Sequence, residues 1–160
     1  MSTSNPNNPE ETLARMGIAL PPAPAPVANY VPTHVVANLL FVSGQISRDG
    51  EGRILSGKLG ADISVEVGRQ AARICALALL AQARVALGSL DRIARIVKLT
   101  GFVNAAPTFT EHPAVMNGCS DLLVEVLGDK GRHTRSAVGV AGLPLDAAVE
   151  VEAIIEIEGA

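Results

Sequence analysis

The closing segment 149–158, VEVEAIIEIE, alternates with a period of two. Val149, Val151, Ala153, Ile155 and Ile157 fall on one face, and Glu150, Glu152, Ile154, Glu156 and Glu158 on the other. One face is core and the other is acidic, so this strand belongs to a sheet that is buried on one side. The rest of the chain must supply helices for that side and further strands beside it.

Those elements can be read in order. Residues 1–8 are Asn, Ser and Pro and read as a loose tail. Segment 9–16 is a candidate short helix, with Pro9 at its start, Glu10 and Glu11 in its first turn and Gly17 as its stop. The run 20–26, LPPAPAP, suits neither helix nor ladder and reads as an extended spacer. From Val35 the β-branched content rises, and VVANLLFVSGQI predicts a strand pair or a bulged strand around Ala37 and Asn38, followed by a turn at Asp49–Gly50 and Glu51–Gly52. Segment 63–87 predicts a long helix begun near Asp62 or Ser64 and closed by Gly88, with Val67, Ala71, Ile74, Ala78, Ala81 and Val85 along one face. Cys75, Leu79, Leu80 and Leu87 make its opposite side apolar too, which calls for cover on more than one side. Segment 93–103 reads as a central strand, apolar on both faces apart from Arg95 and Lys98. Thr110 would cap a second helix carrying Met116, Leu123, Val126 and Leu127 on its apolar face and ending at Gly128. Thr134 to Val140 and 149–158 are the last two strands, joined through Gly142-Leu143-Pro144. The order β-β-α-β-α-β-β describes an α+β domain with two helices on one face of a sheet, and the other face must find its own cover.

Composition narrows the function. The 160 residues fit one domain, and with 48% hydrophobic but 2% aromatic residues the core must be Val, Ile, Leu and Ala, leaving no surface of rings on which bases could stack. Thirteen basic against sixteen acidic residues give a net charge of −3, no attraction for a phosphate backbone or an anionic membrane. A mean hydropathy of +0.32 is high for a chain whose most apolar run, 74–87, is broken by Gln82 and Arg84 and is too short to span a bilayer. The excess suggests burial between subunits. No basic and apolar leader opens the sequence, and Cys75 and Cys119 stand far apart in apolar stretches, as reduced core thiols of a cytoplasmic protein do.

No G-x-S-x-G elbow occurs, and His34, His112 and His133 are scattered without metal-ligand spacing, so each reads as a surface or loop histidine and no metal site is expected. What stands out is Arg135-Ser136-Ala137-Val138-Gly139-Val140, then Leu143-Pro144, then Val149-Glu150-Val151-Glu152. A cation and a carboxylate on neighbouring strands, among small apolar residues, would form a compact pocket for a small carboxylate-bearing molecule. The plainer reading of such a pair is a structural ion pair.

The run TRSAVGVAGLPLDAAVEVE is similar to the C-terminal signature of the RidA/YjgF family, the reactive intermediate deaminases also called endoribonuclease L-PSP-like. Ser43-Gly44-Gln45, the strand 97–103 and Asn117 resemble that family as well, over roughly 30–157. The resemblance implies a chorismate-mutase-like α+β fold with two helices on one face of a mixed sheet, and a homotrimer with sites in clefts between subunits. The domain would be 30–160, with 1–29 an N-terminal extension.

By the same resemblance Arg135 would hold the substrate carboxylate with its two-pronged guanidinium, and Glu150 would position and partly deprotonate the attacking water. Tyr30, Ser43 and Asn117 would line the cleft, with backbone groups of Gly44 and Ala137 completing the hydrogen bonding. The implied reaction is hydrolysis of an enamine or imine such as 2-aminoacrylate to a 2-keto acid and ammonia, with no cofactor, no nucleic acid and no membrane. The sequence departs from the family pattern at His133, Ala137 and the Val31-Pro32 pair, and in its Pro-rich extension. A trimer that binds a small carboxylate without turnover, in a regulatory or chaperone-like role, is the competing reading. Ribonuclease activity is disfavoured by the acidic charge balance and scarce aromatics.

Overall fold

The computed structural model describes residues 8–26 and 28–159. The elements are α1 (Pro9–Arg15), β1 (Thr33–Val36), β2 (Leu39–Ile46), α2 (Val65–Leu87), β3 (Ile93–Asn104), α3 (His112–Leu127), β4 (Thr134–Val140) and β5 (Val149–Ile157). They form one five-stranded sheet in the order β1-β2-β5-β3-β4. Every pairing is antiparallel except β3 with β4, which are parallel because α3 carries the chain back between them. The predicted order of elements and the two-helix layer are both present. The strand placed centrally is not the middle one: β5 is, and β3 lies between it and the edge strand β4.

The core fills the space between the sheet and α2 and α3. On β5, Val149, Val151, Ala153, Ile155 and Ile157 are buried, as the alternation requires. Residues 37 and 38 form a two-residue hairpin between β1 and β2, with Ala37 at φ 52, so the strand-pair alternative is the one realised. An extra residue in β2 between Val42 and Gln45 makes a bulge at Ser43 and Gly44. α2 is capped by the Ser64 hydroxyl and closed by Gly88 at φ 80, as expected. Its length and hydropathy are those of a membrane span, but it is mostly buried, packed on β2 and β5 and beside α3.

Five sequence expectations need correction. The buried surface of α2 is wider than the predicted stripe: Ala71, Ala78 and Ala81 of that stripe are buried together with Gly68, Ala72, Cys75, Ala76, Leu79 and Ala83, but Val85 is 70% exposed. Ile74 lies at the rim, sharing a small hollow with Ala19, Pro21 and Leu77. The N-cap of α3 is Glu111, not Thr110, and it makes no side-chain capping bond; Pro113 fixes the first turn there instead. Residues 1–7 lie outside the described residues, but Asn8 is no tail: its side chain accepts from the Glu10 and Glu11 backbone N–H groups and caps α1. The segment 20–26 is extended as expected, yet it is more than a spacer, because the buried Gln82 of α2 donates to the Pro24 carbonyl at 2.8 Å. Of the surface-or-loop reading of His133 the loop holds and the surface does not: it stands in the turn before β4, half-buried and hydrogen-bonded on both ring nitrogens.

The helices meet where they are thinnest. A Cβ on Gly118 of α3 would lie 2.8 Å from the Arg69 carbonyl carbon of α2, so the two backbones touch directly there. Among the described residues no helix covers the far face of the sheet, which exposes Val36, Phe41 and Val138.

Candidate functional site

Arg135 is the second residue of the edge strand β4 and pairs with Leu99 of β3, which pairs with Ala153 of β5. Leu99 and Ala153 are core residues, so Arg135 points to the helix side of the sheet, where α3 receives it. Its Nη1 donates to Asn117 Oδ1 and to Ser120 Oγ, both at 3.0 Å, and Nη2 reaches the Pro113 carbonyl at 3.5 Å. No carboxylate among the described residues pairs with it. The Nε–Nη2 edge is the side of the guanidinium left to a ligand. Ala137, two residues on, shares this face and packs on the core. Behind Ser120 stands His133, whose Nε2 is 2.9 Å from Ser120 Oγ and whose Nδ1 is 2.6 Å from the Gly131 carbonyl. Burial holds its pKa below the usual 6.5. The neighbouring Cys119 thiol, fully enclosed, is pushed up to about 12, and Cys75 is likewise raised by burial; both are free thiols in the core.

Glu150 belongs to a different place. It pairs with Phe102 of β3, which pairs with Val138 of β4, and this row faces away from the helices. Together with Tyr30, Gly44 and Gln45 it lines a cavity of about 960 Å³ whose outer wall is the Pro-rich segment. The cavity exists because β1 pairs only with Leu39 to Val42, which leaves the later part of β2 at a free sheet edge. Gly44 is required for space and not for backbone conformation: a Cβ there would stand 2.9 Å from Glu150 Cδ and closer still to Oε1. Half-burial, and secondarily the charge of Glu152, raise the Glu150 pKa above 4.5. Ser43 lies beside this cavity and not in it. Its hydroxyl donates to the Val31 carbonyl at 2.9 Å, and it lines a smaller hollow with Thr100 and Glu152.

The residues singled out from the sequence therefore fall into two groups. Arg135, Asn117 and Ala137 gather on the helix side, and Tyr30, Gly44 and Glu150 gather at the open end of β2, with Ser43 adjoining. Arg135 and Glu150 are neither an ion pair nor on neighbouring strands: β3 separates β4 from β5, and the two side chains point to opposite faces. Within one chain they cannot line one pocket. Sequence reasoning missed Ser120, Gln82 and the strap-like use of the prolines. A buried Gln in an otherwise apolar helix was the available signal, because an amide there requires a partner. Among the described residues no cluster of His, Cys, Asp and Glu could hold a metal ion.

Comparison with known proteins agrees with this architecture. Residues 10–157 match the family described as "YjgF/chorismate_mutase-like, putative endoribonuclease". The chain is 51% identical to Protein TCP17 of Trypanosoma cruzi over 146 residues, which is 91% of each chain. Among solved structures it resembles the Agrobacterium tumefaciens protein Atu1372, of unknown function, at 44% identity and TM-score 0.86, covering 94% of both chains. It also resembles E. coli TdcF with bound serine, at 28% identity and TM-score 0.59, covering 86% of this chain and 94% of that one. With the strand order, the one-sided helix layer and the C-terminal Arg and Glu segments all present, the chain belongs to the RidA/YjgF family of chorismate-mutase-like α+β proteins.

Proposed function

We propose that the protein hydrolyses reactive enamine and imine intermediates of the 2-aminoacrylate type to 2-keto acids and ammonia. The sites would lie between protomers of a homotrimer, Arg135 coming from one subunit and Glu150 from its neighbour. The observation that carries the reading is the Arg135 guanidinium. It is fixed from behind by Asn117 and Ser120, paired with no carboxylate, and has a two-pronged edge left over. Opposite faces for Arg135 and Glu150 argue for a shared site, and the uncovered apolar face offers the surface on which a second copy would seat. The count of three comes from the family resemblance. TdcF, with its bound serine, shows a similar fold holding a small amino acid with a carboxylate.

On this reading the substrate carboxylate docks on Arg135 and the C=N carbon lies near Glu150. The imine carbon is already electrophilic, so the protein's task is to orient it and to activate water. Water adds across the C=N bond: its oxygen bonds to carbon while Glu150 takes one water proton and passes it to nitrogen, giving the carbinolamine. Glu150 then takes the carbinolamine hydroxyl proton and delivers it to nitrogen as the C–N bond breaks, so the keto C=O forms and ammonia leaves behind a 2-keto acid. A raised carboxylate pKa suits a group that must both accept and give back that proton. Phosphate-backbone chemistry finds no support in a chain with net charge −3.

The test uses Glu150→Gln. Removing the base should cut the hydrolysis of 2-aminoacrylate generated in situ by roughly two to four powers of ten, while calorimetric binding of pyruvate survives. Wild-type protein that binds pyruvate but never exceeds the non-enzymatic rate would replace the enzyme by a carboxylate-binding module.

A further inference from the structure

We infer that Ser120 and His133 are positioning residues for Arg135, a hydrogen-bonded chain that aims the guanidinium at the substrate carboxylate. The inference rests on the carboxylate-binding role just proposed. Its direction follows from the partners. A carbonyl only accepts, so the 2.6 Å contact from His133 Nδ1 to the Gly131 carbonyl places the ring proton on Nδ1. In the neutral ring Nε2 is then an acceptor, and Ser120 must donate its hydroxyl proton to it across 2.9 Å. That commitment turns the Ser120 lone pairs toward Arg135, whose Nη1 N–H is 3.0 Å away. Each link has one donor and one acceptor, and each donation makes the next oxygen a better acceptor.

The chain fits its location. Asn117 and Ser120 are one helical turn apart on α3 and take both Nη1 protons, which leaves the side-on Nε–Nη2 edge of Arg135 for a planar, two-oxygen ligand. A lysine at this place could not be held and aimed in this way. Burial keeps His133 neutral near pH 7, the state the chain needs.

Acid should break it. Protonated Nε2 would donate toward Ser120 Oγ, forcing the hydroxyl hydrogen to turn elsewhere and loosening the hold on Nη1. The groups around His133 do not confuse this. From α3 it meets Ser120. From the turn before β4 it meets the Gly131 carbonyl, while Arg132 and Asp129 pair with each other at 3.2 Å. On the outer side of α3, Asp121 and Glu125 are occupied by Arg69 and Arg73. From β4 the facing charge is Arg135 itself, and from β3 Lys98 lies beside Thr134. Charge alone would make a protonated His133 strengthen anion binding. A positioning chain predicts the opposite sign.

The experiment measures pyruvate binding to the full-length assembly by calorimetry for wild type, Ser120→Ala, Ser120→Thr, His133→Ala and the double alanine variant, with thermal midpoints recorded for each. Either alanine should weaken binding about tenfold, the cost of one hydrogen bond to a charged group, and the double variant should be no weaker than the worse single, since one chain is cut either way. Ser120→Thr keeps the hydroxyl and should stay within about threefold of wild type. In turnover assays the loss should appear in KM more than in kcat. As the pH falls from neutral to below the 6.5 of an ordinary histidine, wild type should lose affinity more steeply than Ser120→Ala, while Glu150 titrates equally in both and cancels. Alanine variants that bind pyruvate within twofold of wild type would overturn the inference and leave the proposed reaction standing. Pyruvate binding that is absent from wild type, or unaffected by Arg135→Ala, would overturn both. Binding without turnover would sink the reaction alone.

Discussion

Replacing Gly118 with alanine should destabilise the protein and blunt the site in one step, and the structure sets the size of both effects. The new Cβ would stand 2.8 Å from the Arg69 carbonyl carbon and 3.0 Å from its Cα, closer still to the carbonyl oxygen. Carbon atoms attract best near 3.5–4.0 Å, so the seam must open by at least about 0.7 Å to clear the carbonyl carbon, and further to clear the oxygen. Nothing at the contact can rotate away, because both sides are helix backbone. Overpacking of this kind costs about 1–3 kcal/mol, and alanine returns about 0.5–1 kcal/mol through helix propensity. With both helices rigid, the net loss should be about 2 kcal/mol, or about 4–8 °C in the thermal midpoint of a chain this size.

The same opening moves α3 outward between Asn117 and Ser120, the two side chains that hold Arg135. Misplacement of that order costs up to about a hundredfold in a reaction that depends on orientation. Differential scanning calorimetry beside imine turnover checks both halves, with Gly142→Ala as the control, since a Cβ there meets nothing within 4 Å. A Gly118→Ala midpoint equal to or above wild type would refute the claim that bare backbone contact sets the helix spacing. A lower midpoint with full activity would refute the link from that spacing to Arg135.

Arg135→Lys keeps the charge but loses both anchors on α3 and the two-pronged edge; imine hydrolysis should fall about tenfold to a hundredfold with the assembly intact, read by turnover and light scattering. In solution the protein should weigh three times the 16.5 kDa chain at micromolar concentration, and a monomer in sedimentation would remove the shared site. Glu150 must be ionised to take a proton from water, so kcat/KM should rise with pH through a limb whose midpoint lies above the 4.5 of an ordinary glutamate, and Glu150→Gln should lose that limb.

What could be read from the sequence was what is local. The alternation of β5 and the Gly88 end of α2 are each written in a few adjacent residues and each is present, while the choices between a strand pair and a bulged strand at Ala37 and Asn38, and between Asp62 and Ser64 as the cap of α2, were settled only by the structure. The order of strands is not local. A strand, a helix and a second strand in succession do imply that β3 and β4 run parallel, but nothing within β5 says that it inserts between β2 and β3. For that reason Arg135 and Glu150 looked like neighbours. Of the stripe read on α2, Ala71, Ala78 and Ala81 are buried but Val85 is exposed, because apolar residues surround most of the helix and only what packs on it decides which of them are covered. The proline run looked idle because its tie to the body, the bond from Gln82 to the Pro24 carbonyl, joins residues far apart in the chain.

The separation of Arg135 and Glu150 also bears on why such a site would require assembly. Each is a half-buried charge whose partners among the described residues do not include an opposite charge. Arg135 is held by neutral oxygens, and Glu150 carries a pKa raised by lost solvent and by a second carboxylate. A half-buried charge without its complement is unfavourable, and two of them on one chain would be eliminated by a direct ion pair if they faced each other. Their position on opposite faces prevents that self-neutralisation. A guanidinium already bound to Glu150 would have no edge left for a substrate carboxylate, and a glutamate already bound to Arg135 would be too weak a base to take a proton from water. In the proposed trimer the two are brought into one cleft from different chains, far enough apart for a small molecule to lie between them. The carboxylate then satisfies the arginine and the water satisfies the glutamate. On that account the fold keeps the two charges apart within the protomer, and the interface sets the gap that the substrate fills.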